Sequence, residues 1–95
     1  MGSPIRTHAE EIRLGLRRVR NDTKTNNHLG ARITLAKLLK HERATKALVG
    51  LQTVYEVEME MHDDMKSIEK RWTDHMLRWV EIHHPNLLSD IRKAL

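Results

Sequence analysis

Apolar residues recur at spacings of three and four through the second half of the chain. Ala44, Ala47, Leu51, Val54, Met61, Met65, Ile68, Trp72, Trp79 and Ile82 form the line, with Glu58 and His75 as its polar members. This is the period of an α-helix with one covered side. No proline or glycine interrupts Leu51 to His84. Continued from about 45 to 84, the helix would reach roughly 60 Å at about 1.5 Å per residue, more than one small domain can cover. Three arrangements resolve this. The helix breaks near His62-Asp63-Asp64, where either aspartate can cap a new one. Or the rod stays whole, with the preceding helices folded back along it. Or it pairs with a second copy.

The first half carries two shorter helical patterns. Ile5, Ala9, Ile12, Leu16 and Val19 make a seam, and Thr7-His8-Ala9-Glu10 fits a capping box, with Ser3-Pro4 as a rival start. Asn21 to Asn27 reads as a loop, because its Asn, Asp and Thr side chains compete for backbone hydrogen bonds, and Asn26 or Asn27 can cap the second helix. Leu29, Ile33, Leu35, Ala36, Leu38 and Leu39 cover a wide arc of that helix, which predicts burial on more than one side. A turn at Lys40 to Thr45 would end it, with Thr45 as the next cap. Pro85 ends the long pattern, and Asn86 is placed to cap a short helix bearing Leu87, Leu88, Ile91 and Leu95. The expected fold is all-α: a single domain spanning 1–95, a bundle of three to five helices (about 4–20, 28–41, 45–84 and 87–95, with a loop at 21–27) built around the long helix.

Charge changes this picture by dividing the chain. Residues 1–50 carry eleven basic and four acidic side chains, and residues 51–95 carry six basic and nine acidic. The halves can neutralise each other, or the basic half can face an acidic partner, nucleic acid included. Arg6, Arg13, Arg17 and Arg20 fall within roughly a 60° arc at about 100° per residue, beside the apolar seam. Lys37, Lys40, Arg43 and Lys46 lie around the next turn. The segment Ala36–Thr45 resembles a helix-turn-helix in outline, with Ala36 as the small residue and Arg43 and Thr45 opening the second helix. Lys40 at the tight-turn position, where glycine is common, and Lys46 in place of a buried aliphatic depart from that pattern.

The chemistry-bearing residues point away from catalysis. Cysteine is absent, so disulfides, thiolate metal sites and cysteine nucleophiles are excluded. The four glycines are scattered and make no phosphate loop. Glu56, Glu58 and Glu60 alternate, which spreads them around a helix instead of pairing them. The histidines lack helical chelating spacing: His62 adjoins Asp63, and His83 adjoins His84, but neighbours on a helix point about 100° apart. No catalytic residue, metal, cofactor or small-molecule substrate is expected. No signal segment or membrane-length apolar run is present, so a cytoplasmic setting is expected.

Trp72 and Trp79, seven apart with His75 between them, share one helix face. Burial in the core is the default reading of such a stripe, and tryptophan is also a favoured anchor of protein interfaces, two readings that coincide if the core forms between chains. The expectation is a non-enzymatic binding protein: an inhibitor, adaptor or assembly factor, by analogy with phage and mobile-element accessory proteins. It would dock a protein partner, itself or another, through Trp72, His75 and Trp79 or through Leu87, Leu88 and Ile91. The alternative is nucleic-acid binding by Arg13, Arg17, Arg20, Lys37, Lys40, Arg43 and Lys46, which requires those groups to converge.

Overall fold

A computed structural model describes residues 7–57 and 62–95, apart from the side chains of 57, 62 and 63. Among the described residues the fold is a small all-α bundle of five helices without strands. They are α1 (His8–Lys24), α2 (His28–Leu38), α3 (Glu42–Val57), α4 (His62–His83) and α5 (Leu88–Ala94), with a 3₁₀ turn at Pro85–Leu87 before α5.

Local chemistry accounts for most boundaries. Thr7 caps α1, its Oγ1 accepting the Glu10 N–H at 3.2 Å. The rival start at Ser3, with Ile5 and Arg6, lies outside the described residues. The helix runs on to Lys24, past the expected loop start at Asn21. Its polar side chains do not compete with the backbone ladder. Thr23 Oγ1 donates to the Val19 carbonyl at 3.0 Å and Thr25 Oγ1 to the Asn21 carbonyl at 3.1 Å, both four residues back along the helix. A left-handed Asn26 (φ 63°) then closes α1. The Asn27 N–H donates to the Asp22 carbonyl and the Asn26 N–H to the Thr23 carbonyl, a Schellman stop. Asn27 caps α2 by accepting the Gly30 N–H at 3.1 Å.

The end of α2 repeats the device with Lys40 in the left-handed position (φ 57°), the His41 N–H donating to Ala36 and the Lys40 N–H to Lys37. Helix α3 therefore starts at Glu42, three residues before the expected Thr45. The cap is His41, whose Nδ1 accepts the Ala44 N–H at 3.2 Å. Thr45 lies inside the helix and donates to the His41 carbonyl. Asn86 makes no cap either, since the chain passes through the 3₁₀ turn into α5 without a side-chain cap bond.

The expected long helix is two helices, and the continuous-rod arrangement is corrected. Helix α4 begins at His62, so Asp63 and Asp64 lie in its first turn instead of capping it from outside. Glu58 and Met61 lie outside the described residues. Helices α3 and α4 run antiparallel: the ring of His41, ahead of α3, meets Trp79 near the end of α4, and Tyr55 late in α3 shares a recess with Lys66 and Glu69 early in α4. Folding back shortens the apolar line to a length a small domain can cover.

The core is aliphatic. Ile12, Leu16 and Val19 of α1 meet Leu35, Ala36 and Leu39 in and just after α2, Ala44 and Leu48 of α3, and Met76 and Val80 of α4. Leu87, Ile91 and Ala94 close it from the C-terminal end. Helix α2 is covered on several sides, as its wide apolar arc predicted: Ile33 and Leu35 are both buried although they point to nearly opposite sides. Gly15 lets α2 approach α1, since a Cβ there would run into the Leu38 side chain. Across from it, Arg32 reaches α4, donating from Nε to Thr73 Oγ1 at 2.8 Å and pairing with Glu69 at 3.3 Å, while its Nη1 donates to the His28 carbonyl. Thr23 Oγ1 also donates to the Ala94 carbonyl at 2.9 Å, tying α5 to the end of α1.

Candidate functional site: a tryptophan–histidine ladder on α4

Helix α4 has two working faces about 100° apart. Met65, Thr73, Met76 and Val80 point into the bundle and are buried. Met65 also belongs to the line read from the sequence; the rest of that line on α4 (Ile68, Trp72, His75, Trp79 and Ile82) is the neighbouring flank, within roughly an 80° arc. It is only partly covered: Ile68, Trp72 and Trp79 are half-buried, His75 is exposed, and Ile82 is 70 % exposed. The core seam thus lies one residue step round the helix from its expected position. The period was right, but both faces of α4 carry apolar residues. His75 is consequently not a polar member of a buried seam.

The rings on this flank form a chain of contacts. His75 lies 5.1 Å from Trp72, Trp72 lies 6.1 Å from His41, His41 lies 4.9 Å from Trp79, and Trp79 lies 4.2 Å from His83, between ring centroids. Three imidazoles alternate with two indoles. Four of the five rings come from successive turns of α4; the middle one, His41, is delivered by the α2–α3 turn. The same imidazole caps α3 through Nδ1, so it serves as a neutral acceptor there, with its proton on Nε2. Burial holds His41 below the usual imidazole value, against an opposing backbone hydrogen bond; His75 and Arg43 push the same way as burial.

A second imidazole pair adjoins this end of α4. His8, at the start of α1, meets His84 edge-on at 5.2 Å. Burial, then His8 and His83, lowers the His84 pKa. His8 Nδ1 is buried, and its 3.9 Å separation from Glu11 Oε2 is an ion-pair distance, too long for a hydrogen bond. Among the described residues, no three His, Cys, Asp or Glu side chains converge as a metal site.

Cations border the ladder. Arg43 of α3 acts on His41, and Arg71 and Arg78 line a recess of about 180 Å³ with His75 and Asp74 on the solvent side of α4. The sequence pointed to Trp72, His75 and Trp79 as one face, and the structure brings them together. His41 and His83 were not among the expected site residues. The first arrives by a long-range fold, and with the next cap expected at Thr45 no local signal marked it. The second lies four residues after Trp79, a spacing that stacks rings on a helix.

The other expected contact group is divided. Leu87 (1 % exposed) and Ile91 (0 %) belong to the chain's own core and are not offered to a partner. The physical reason is that the short α5 has to bury its apolar face, and α1 and α4 supply the host. Leu88 is half-buried and borders an open recess with Pro85 and Arg92.

All seven candidate basic contacts are exposed. Arg13, Arg17 and Arg20 occupy one flank of α1, about 100° from its buried face. Lys37 belongs elsewhere: it lines a recess of about 390 Å³ between α1 and α2 with Arg18, Gly15, Thr34 and Leu38. Arg18 points well away from Arg13, Arg17 and Arg20 around α1.

No helix among the described residues is long and apolar enough to cross a membrane. No family model matches the chain, and neither the curated proteins nor the solved structures give a match.

Proposed function

We propose that this chain is a non-enzymatic binding protein, an inhibitor, adaptor or assembly factor, that docks a partner protein on the α4 flank. The observation carrying this reading is that Trp72 and Trp79 pack only partly against the core, leaving part of each indole uncovered on the flank that also bears the exposed Ile82. Ile82, 70 % exposed and one turn after Trp79, extends the flank of the two half-covered indoles, and partially exposed tryptophans are efficient interface anchors. Arg43, Arg71 and Arg78 border that surface, which favours a partner segment with apolar anchors and flanking carboxylates. A phage or mobile-element origin and a cytoplasmic setting are proposed by analogy with small helical accessory proteins.

The test compares variants. Tagged wild-type chain, Ile82→Asp and Arg17→Glu are used to capture partners from nuclease-treated host extract. Docking on α4 predicts a protein retained by the wild type and by Arg17→Glu but lost with Ile82→Asp, whose circular dichroism matches the wild type. Equal retention by Ile82→Asp overturns the reading.

One observation favours nucleic acid as a second reading. Lys37, Lys40, Arg43 and Lys46 are all exposed around a tight turn joining two helices. That reading predicts a gel shift with duplex DNA that weakens steeply with salt.

A further inference from the structure

His41 performs two tasks that a proton makes incompatible. Its Nδ1 accepts the Ala44 amide N–H and thereby caps α3. The same ring stands between Trp72 and Trp79. Protonated, Nδ1 becomes a donor and faces the Ala44 N–H, donor against donor. The charge would also sit at the positive end of the α3 dipole. A backbone hydrogen bond at His41 favours the charged ring, but burial outweighs it. His75, facing it from α4, and Arg43 of α3 both oppose a second charge. Lys40 precedes it in the turn, and Glu42, the next residue, is exposed. The indole faces attract a cation, but the ring can keep that attraction only by turning its Nδ1 away from the cap.

We propose that His41 is a proton-operated latch on the α4 docking face. Proton uptake frees Nδ1 from the start of α3 and turns the imidazole in its seat, which loosens the contact with Trp72 and Trp79 and opens the indoles to a partner's apolar side chain. The use of the opened indoles rests on the docking reading above; the latch itself does not. Its sign is set by the lowered pKa. The unfolded chain binds the proton near pH 6.5, the folded chain only at lower pH. The closed state is therefore fully stabilised above about pH 6.5 and loses that stabilisation as pH falls through the folded-state pKa.

The purified full chain tests this without any partner, so failure of the latch is separable from failure of the docking reading. Amide exchange at Ala44, corrected for intrinsic pH dependence, is followed from pH 7.5 to 5 together with acrylamide quenching of the tryptophans. The latch predicts that Ala44 exchange accelerates about fivefold, the factor that one lost N-cap is worth. Indole quenching should rise with the same midpoint as the His41 ring resonances. His41→Asn, which caps at every pH, should show neither change. His75→Gln should keep the transition and move its midpoint upward. A wild-type Ala44 amide indifferent to His41 titration overturns the proposal, as does an equal response in His41→Asn. If the Asn variant fails to fold, the shared midpoint in the wild-type chain decides alone.

Discussion

Ile82 and Ile91 carry the same side chain on the same C-terminal stretch, yet one is 70 % exposed and the other is fully buried. The difference separates two regions of the molecule. Where α1, α2 and α5 meet, the contacts are aliphatic, dry and complete: Ile12, Val19, Leu35 and Ile91 have no exposed surface. Along the flank of α4 the contacts are aromatic, partly exposed and incomplete. The first region has the composition and closure of a stability core. The second holds large apolar side chains that the core covers only in part. Helix periodicity marks both regions alike, so only the packing tells them apart.

Substitutions can break or sharpen that contrast. Ile91→Ala should have the largest effect, lowering unfolding free energy by about 2–5 kcal/mol through lost burial and a residual cavity. Urea denaturation followed by circular dichroism measures it. A loss below about 1 kcal/mol would mean that α5 is not closing the core. Arg32→Met comes next. It removes the donors to Thr73 and His28 and the ion pair to Glu69. A cost of about 1–2 kcal/mol is expected, since these groups are only partly withdrawn from water. Gly50→Ala runs the other way. A Cβ there meets nothing within 4 Å, so the exposed interior of α3 should gain about 1 kcal/mol of helix preference, seen as a higher urea midpoint.

Acid should act more weakly than these, because water screens both groups involved. His41 and His84 have pKa values lowered chiefly by burial. The unfolded chain therefore takes up more protons, and stability falls with pH below about 6.5. The urea midpoint should drop between pH 7.5 and 5.5, and should drop less in His41→Asn. The smallest effect is Ile82→Ala, expected within about 0.5 kcal/mol of wild type. Placed beside Ile91→Ala, it isolates environment from chemistry. A large loss at Ile82 would assign the α4 flank to the core.

Much of the fold was legible in the sequence because the signals were local. Thr7 and Asn27 act on amides three residues ahead, and Pro85 lies just past the end of α4. The end of α1 was missed because Thr23 and Thr25 bond back into the helix. The division between α3 and α4 could be named as one option only, since no glycine or proline lies between Leu51 and His84 to decide it. On α4 a strict heptad line selects Trp72, His75, Trp79 and Ile82. Met65 lies on that line and is buried; beyond it the buried residues Thr73, Met76 and Val80 keep to the bundle side of a straight helix, while the heptad line moves about 20° per heptad away from it. The tryptophan face was therefore found for an incomplete reason. His41 escaped notice as a site residue because its partners are about thirty to forty positions away, at Trp72 and Trp79, and only the antiparallel return of α4 brings them together.

The seating of one imidazole between two indoles is the most direct test, because the hairpin, the exposed flank and the latch all require it. A nuclear Overhauser spectrum of the wild-type chain at pH 7.5 should show cross-peaks from the His41 ring protons to the indoles of both Trp72 and Trp79, with those protons shifted by the neighbouring rings. A spectrum with no His41 contact to either indole, and Trp79 near no residue of α3 or the turn before it, would contradict it.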